Sequence, residues 1–191
     1  HVVASRREVY CQRCEGSIMK SPAIDSMFEH LLEDLSARLK PLDFARSGSV
    51  LRIVRDGNCG LLEFQRSTKS SAHRLLFTVN VGIICGALLD PHVKQLRKVH
   101  SIDAHVRQRI GMFMHGSPDK WWEITEATDT VPLIEELAEL ITGNGVPFIM
   151  GLLSTTAIVS LWQSGQSPGL TDGQRLRFLA RLSGVGDAPE K

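Results

Sequence analysis

The stretch that decides the fold is residues 50–85, VLRIVRDGNCGLLEFQRSTKSSAHRLLFTVNVGIIC. It contains three runs rich in β-branched, aliphatic and aromatic residues, separated by two clusters of turn-forming residues. The runs are residues 50–54, 61–66 and 75–85, and the clusters are residues 56–58 and 67–71. Short apolar runs joined by turns of this kind are typical of consecutive antiparallel strands. The stretch therefore predicts a three-stranded meander.

Apolar residues occupy alternate positions in each run, and successive side chains of a strand point to opposite faces of its sheet. These positions predict one buried face, called the first face below, which must carry the helices. Its members are Leu51, Ile53, Leu62, Phe64, Phe77, Val79, Val81 and Ile83.

The intervening positions define the second face, which is unusually polar. Its predicted members are Arg52, Glu63, Gln65, Thr78 and Asn80. Antiparallel sheets commonly leave one face in solvent, which is one interpretation. The other is a recognition surface, on which Arg52 fixes an anion while the amides of Gln65 and Asn80 supply paired donors and acceptors.

Helical periodicity flanks the meander on both sides. Before it, Ser26 and Glu29 have the spacing of a capping box, and Pro41 is expected to end the helix. The apolar face of this N-terminal helix is formed by Phe28, Leu31, Leu32, Leu35 and Leu39. Together with the C-terminal helices, this pattern predicts an α+β fold with a mainly antiparallel sheet and helices packed on one face.

Three C-terminal helices are expected. The first has an apolar stripe that Gly143 and Gly145 are expected to close, the second starts near Pro147, and the third opens with a capping box. The stripe of the first helix is Leu133, Ile134, Leu137, Leu140 and Ile141. The capping box of the third helix is Thr171 with Gln174. The apolar face of that helix is Leu176, Leu179, Ala180 and Leu182. Residues 146–162 are too short and too rich in hydroxyl groups for a membrane span and predict a buried core helix.

The domain organisation follows from the same patterns. Residues 1–18 are polar, Arg-rich and without a sustained period, so they are predicted to be a flexible extension. Residues 19–184 are expected to form a single domain and residues 185–191 a flexible tail. Between residues 89 and 115 the apolar positions fit neither period, and a short helix and one more strand are expected there.

Composition excludes several classes of protein. The 191 residues carry 22 Lys and Arg against 21 Asp and Glu, a net charge of +1, so no global field attracts nucleic acid or an anionic membrane. The absence of a leader pattern and of glycosylation sites favours the cytoplasm, where the four cysteines are expected to be free thiols.

Several short sequence words resemble a bacterial family known as domain of unknown function 4304. They are PLDFARSG at residues 41–48, EFQRS at 63–67, FTVNVG at 77–82, RIG at 109–111 and DKWW at 119–122. The resemblance covers about residues 26 to 182 and implies a helix, a mainly antiparallel sheet and C-terminal helices. It implies no activity, cofactor or catalytic residue. Asp43 stands where the family pattern favours glycine.

Metal and catalytic motifs are incomplete. Cys11 and Cys14 have the spacing of half a zinc site, but no second pair of ligands completes it. Four histidines, at positions 92, 100, 105 and 115, crowd the middle of the chain without ligand spacing. No nucleophile elbow, Walker loop or dinucleotide-binding glycine motif occurs. No metal or cofactor is therefore expected.

Trp121 and Trp122 are a second candidate for a partner surface. Adjacent strand residues point to opposite faces, so one ring is expected in the core and the other over it as cover. The sequence thus predicts a non-catalytic module that binds a protein or small-molecule partner through the second face or the Trp pair. The alternative is an enzyme with a pocket between the second face and the C-terminal helices, in which Glu63 is the acid or base and Arg52 the electrostatic stabiliser.

Overall fold

A computed structural model describes residues 21–90, 95–116 and 118–184, and it confirms the α+β fold. The strands are β1 (Ala45–Ser47), β2 (Val50–Arg55), β3 (Asn58–Arg66), β4 (Leu75–Cys85), β5 (Val106–Arg109) and β6 (Trp122–Ile124). The α-helices are α1 (Pro22–Leu39), α2 (Thr130–Leu140), α3 (Val146–Gly151), α4 (Thr155–Gln163) and α5 (Asp172–Leu182). The predicted extension, residues 1–18, and the predicted tail, residues 185–191, lie outside the described residues.

The six strands form one antiparallel sheet in the order β1-β2-β3-β4-β5, and β6 also pairs with β4. The three strands predicted from residues 50–85 are its centre. The turn between β2 and β3 has only two residues, because Arg55 pairs directly with Asn58. Asp56 and Gly57 both have positive φ, at 52° and 75°, which suits the right-handed twist of a hairpin.

The first face of the sheet is the main hydrophobic core, as the alternation predicts. All eight of its predicted members are buried there. Phe77 lies at the centre, with ring centroids 5.1 Å from Phe28 of α1 and 5.8 Å from Trp122 of β6. Helices α1 and α2 contact each other above it, and α3 contacts β3 and β4. The helices are thus held on one face by the apolar side chains of the meander.

The predicted start of α1 is wrong by about one turn. The helix begins at Pro22 after Ser21, and Ser26 lies inside it rather than at its cap. Proline suits the first helical turn because it has no N–H group that would need a partner there. Glu29 pairs with Arg46 instead of capping the helix.

The end of α1 agrees with the expectation from Pro41. The helix ends at Leu39 and is followed by a 3₁₀ turn, Lys40–Leu42. Asp43 then adopts a left-handed conformation with φ of 67°. Glycine reaches that region without a steric penalty, and aspartate is among the other residues that tolerate it. This explains why the related pattern has glycine where this chain has Asp43.

The predicted boundaries of the C-terminal helices need correction. Gly143 and Gly145 do not end a helix, because a π-helical segment, Ile141–Gly145, joins α2 directly to α3. The buried residues on either side, Leu137 and Ile149, hold this run against the sheet, and their burial outweighs the roughly 1 kcal/mol cost of each helical glycine. Residues 146–162 are therefore two helices, with Ser154 capping the second through the N–H of Ala157.

The last helix, α5, starts as predicted. Thr171 accepts a hydrogen bond from the N–H of Gln174, whose side chain in turn accepts one from the N–H of Thr171. Its packing face differs from the prediction, however. Leu176 is 56% exposed, and Phe178 instead stacks on Trp162 of α4 with 5.8 Å between the ring centroids.

No helix in the described part of the chain is long and apolar enough to cross a membrane alone. Two consecutive helical segments, residues 130–151 and α4, are together long and apolar enough by length and composition. Their axes, however, are bent by 91° relative to each other.

The segment that follows β4 contains the expected additional strand, β5. In place of the expected short helix, it contains 3₁₀ turns. Residues 95–104, called the strap below, cross the second face of the sheet. Val99 of the strap closes a second, smaller core on that face. This core contains Val50, Cys59, Leu61, Ile84 and Val99. The second face is therefore not one continuous polar surface, because the strap covers the half nearest the β2–β3 turn.

Candidate functional site

The uncovered half of the second face forms a groove of about 650 Å³. Its floor comes from neighbouring strands, with Glu63 and Gln65 on β3 and Asn80 on β4. Arg107 and Arg109 of β5 line one side, because they pair in register with Gly82 and Asn80. The strap supplies the opposite wall. We call this half of the face the open half.

Glu63 is the anchor of the strap in this groove. One carboxylate oxygen lies 2.8 Å from Nδ1 of His100, and the other accepts a hydrogen bond from the N–H of Ser101 at 2.7 Å. Burial favours the protonated acid, but the hydrogen bonds from Ser101 and His100 outweigh it and hold the pKa of Glu63 below its ordinary value. Glu63 is thus a carboxylate at neutral pH with both oxygens engaged.

An amide pair lies beside Glu63 on the groove floor. The side-chain NH₂ of Asn80 donates to the amide oxygen of Gln65 at 2.8 Å. This bond leaves the Gln65 NH₂ group and the Asn80 oxygen without hydrogen-bond partners among the described residues. Donors and acceptors are therefore available along the groove.

Two arginines give the groove its positive side. Arg107 donates to the carbonyl oxygen of Ser101 at 3.3 Å. Arg109 forms an ion pair with Asp119 and lies over the ring of Trp121, with 4.9 Å from its guanidinium carbon to the ring centroid. The hydrogen bond from Arg109 holds the pKa of Asp119 below its ordinary value. Of these three residues Arg109 lines the groove, and it connects the groove to Asp119 and Trp121 beside it.

The wall of the groove also carries an apolar side chain. Ile102 of the strap is 76% exposed and lines the groove. A single exposed aliphatic residue is ordinary on a protein surface. Beside a row of amides and guanidinium groups, it makes the groove amphipathic, as many binding sites are.

The family described as "Domain of unknown function (DUF4304)" has a model that matches residues 35–150. The chain belongs to this family. No curated protein and no solved structure matches it. The DUF4304 match contains all six strands, the strap and every residue of the groove, whereas α4 and α5 lie outside it.

The structure brings together only some of the predicted site residues of this DUF4304 protein. Glu63, Gln65 and Asn80 lie side by side in the groove. Trp121 does not line the groove, but its ring contacts Arg109, which does, so the second face and one ring of the Trp pair are connected through this arginine.

Three other predicted site residues are buried away from the groove. Arg52 is 7% exposed and donates through Nε to the carbonyl oxygen of Val99 at 2.8 Å. Thr78 is fully buried and donates to the carbonyl oxygen of Lys120 at 2.8 Å. Trp122 is 4% exposed and packs in the core, as expected for one of the two Trp rings. All three make contacts that hold the fold.

Sequence reasoning missed Arg107 and Arg109, and it considered His100 only as one of four crowded histidines. Their segment fits neither helical nor strand periodicity over its whole length, because it consists of 3₁₀ turns and one four-residue strand. One sequence signal did indicate the strand: in residues 106–109 the two arginines occupy alternate positions, and alternate side chains of a strand share one face.

The other histidines and cysteines have separate roles. His105 is buried and accepts a hydrogen bond from the N–H of Cys85 at 3.1 Å, whereas His115 is exposed. Cys59 and Cys85 are free and buried. Within the described ranges, no three His, Cys, Asp or Glu side chains are grouped so that they could hold a metal ion. Cys11, Cys14 and His92 lie outside those ranges.

Proposed function

We propose that this protein is a non-catalytic binding module and that the groove on the open half of the sheet receives its partner. The observation that carries the proposal is the pair of accessible hydrogen-bonding groups on the groove floor, on Gln65 and Asn80, beside Arg107 and Arg109. Amides combined with guanidinium groups recognise carboxylates and peptide-like groups. Ile102 adds apolar area on the wall.

Two observations disfavour the alternative, an enzyme that uses Glu63. A general base needs a free lone pair and a pKa near the working pH, whereas both oxygens of Glu63 are engaged and its pKa is lowered. The predicted catalytic pocket also required a roof from the C-terminal helices. None of the described residues of α2 to α5 lines the groove. An open surface suits a protein segment or a small ligand bound without chemistry.

The biological setting is part of the same proposal. The resemblance to a bacterial family and the near-neutral charge support a bacterial protein that acts in the cytoplasm, and the described cysteines are free thiols, as expected there. We propose an immunity- or defence-associated role by analogy with other small α+β proteins. Neighbouring genes test it, because a toxin or phage-defence operon beside this gene would support it and a metabolic cluster would contradict it.

The binding role is tested by screening the wild-type protein against a peptide-display library and a metabolite collection. Any hit is then measured against the double variant Gln65→Ala, Arg107→Ala. The matched control is Gln163→Ala, Arg177→Ala, which removes the same residue types from exposed positions on α4 and α5.

A groove ligand should lose at least tenfold in affinity with the groove variant and should bind the control variant as it binds the wild type. Both variants should stay folded, which thermal melts establish. Hits that bind all three proteins equally, or the absence of any hit, would contradict the proposal.

A further inference from the structure

A second hollow lies on the other side of the strap from the groove. It has a volume of about 360 Å³ and lies between the β1–β2 hairpin and the first turn of the strap. Ser47, Arg52 and Val54 line it from the hairpin, and Arg97 lines it from the strap. Arg46 also borders it but is already paired with Glu29 of α1.

Arg52 is a buried cation that pairs with no carboxylate in the described ranges of the chain. Its Nε atom donates to the carbonyl oxygen of Val99, and the remaining donors of the guanidinium group have no partner among the described residues. No carboxylate in that part of the chain lies within ion-pair distance of it. Arginine is almost never buried to this degree unless it is paired. Among the described residues, Trp162 Nε1 is the one fully buried side-chain nitrogen or oxygen without a partner, so the remaining donors of Arg52 reach solvent at the hollow and are open to a ligand there.

Arg97 brings a second unpaired guanidinium group to the same place. It is exposed and forms no hydrogen bond or ion pair with the described residues. Burial raises the pKa of the Cys59 thiol to about 11, and the charges of Arg52 and Arg97 both oppose that rise, which shows that both lie near Cys59. Two like charges that converge on one hollow repel each other unless an anion lies between them.

The acidic group on the rim does not neutralise this pair. Asp43 borders the hollow, but its carboxylate lies 3.4 Å from the guanidinium group of Arg55 and its side chain is largely exposed. Arg52 and Arg97 therefore keep their charge for a ligand, and the hydroxyl of Ser47 adds a donor at the edge.

We propose that this hollow binds a small oxyanion, the phosphate or carboxylate group of a ligand, between Arg52 and Arg97. Guanidinium groups bind both kinds of oxyanion through pairs of parallel N–H donors. The proposal does not depend on the groove, because the two sites share no lining residue.

The test uses inorganic phosphate and acetate as separate probes at constant ionic strength, with chloride as the balancing anion. An anion that binds only the folded protein raises its melting temperature, by about 3–6 °C at ten times its Kd for a chain of this size. Stabilisation by phosphate alone identifies a phosphate site, and stabilisation by acetate as well identifies a general oxyanion site.

Arg97→Gln is the decisive variant, because its side chain is exposed and its loss leaves no buried group unpaired. It should weaken binding at least fivefold. Lys98→Gln is the matched control, since it removes the same charge from the next residue of the same turn, which does not line the hollow. Equal stabilisation of wild type and Arg97→Gln, an equal loss in the Lys98→Gln control, or no stabilisation of the wild type by either anion would overturn the proposal.

Discussion

The covered half and the open half of the second face belong to the same strands but differ in the residues that they carry. On β3, Leu61 lies under the strap in the smaller core, and Gln65, two pleats further along the same face, is exposed in the groove. The strap lies over apolar side chains and over polar ones that bond to it, such as Arg52 and Glu63, because burying amides without partners would cost free energy. Alternation along a strand therefore tells which face a residue occupies, and the residue type tells whether that face is covered.

The largest difference between the halves should appear in stability. Leu61→Ala should lower the free energy of unfolding by about 2–4 kcal/mol, because it leaves a cavity beneath the strap. Gln65→Ala, on the same strand and face, should cost less than about 1 kcal/mol, because the Gln65 side chain is exposed. Urea denaturation of both variants measures the two values. Similar costs would mean that the strap does not pack on the sheet in solution.

The sequence also contains a pattern that indicates the covered half, although strict alternation of apolar and polar residues does not include it. Consecutive apolar residues occur in pairs in the three strands, Val50-Leu51, Leu61-Leu62 and Ile83-Ile84, which is typical of strands buried on both faces. The meander and the first face were predictable because apolar alternation with period two is a local pattern. The strap was not, since its 3₁₀ turns and short strand carry no sustained period.

The helix boundaries show where local rules fail for a physical reason. Ser26 and Glu29 have capping-box spacing, but the buried Ile24 already belongs to the helix, so packing extends the start to Pro22. Gly143 has the appearance of a stop signal, yet tertiary packing carries the chain through it as a π-helical segment. Of the candidate site, Glu63, Gln65 and Asn80 were predictable from alternation, whereas the arginines required knowledge of the pairing between β4 and β5.

A second, smaller effect is expected where the strap ends and β5 begins. Burial, reinforced by the charge of Arg181 and opposed by Asp103, lowers the pKa of His105 to about 4 from an ordinary value of 6.5. The unfolded chain then binds a proton near pH 6.5 that the folded chain does not bind until about pH 4. Stability contributed by the neutral ring is therefore present above pH 6.5 and is lost as the pH falls towards 4.

This linkage should cost the wild type about 1–2 kcal/mol of unfolding free energy between pH 7 and pH 5. His105→Asn should lose less over the same interval, since its amide oxygen replaces Nδ1 as the acceptor for the N–H of Cys85 and does not titrate. Denaturant unfolding of both proteins at the two pH values gives the comparison, and the other titrating groups cancel in the difference. An identical loss in the variant would show that His105 is protonated in the folded protein at pH 5.

The smallest effect is expected on the floor of the open half, from the amide pair of Asn80 and Gln65. Asn80 is 7% exposed but faces the groove, so water replaces the Gln65 oxygen when that partner is removed. Asn80→Ala and Gln65→Ala should each cost less than about 1 kcal/mol. Their coupling in a double-mutant cycle should be about 0.5 kcal/mol, as for an exposed neutral hydrogen bond. A cost of about 3 kcal/mol for Asn80→Ala alone would mean that its amide is a buried structural group like Thr78, and that this part of the floor holds the sheet together instead of facing a partner.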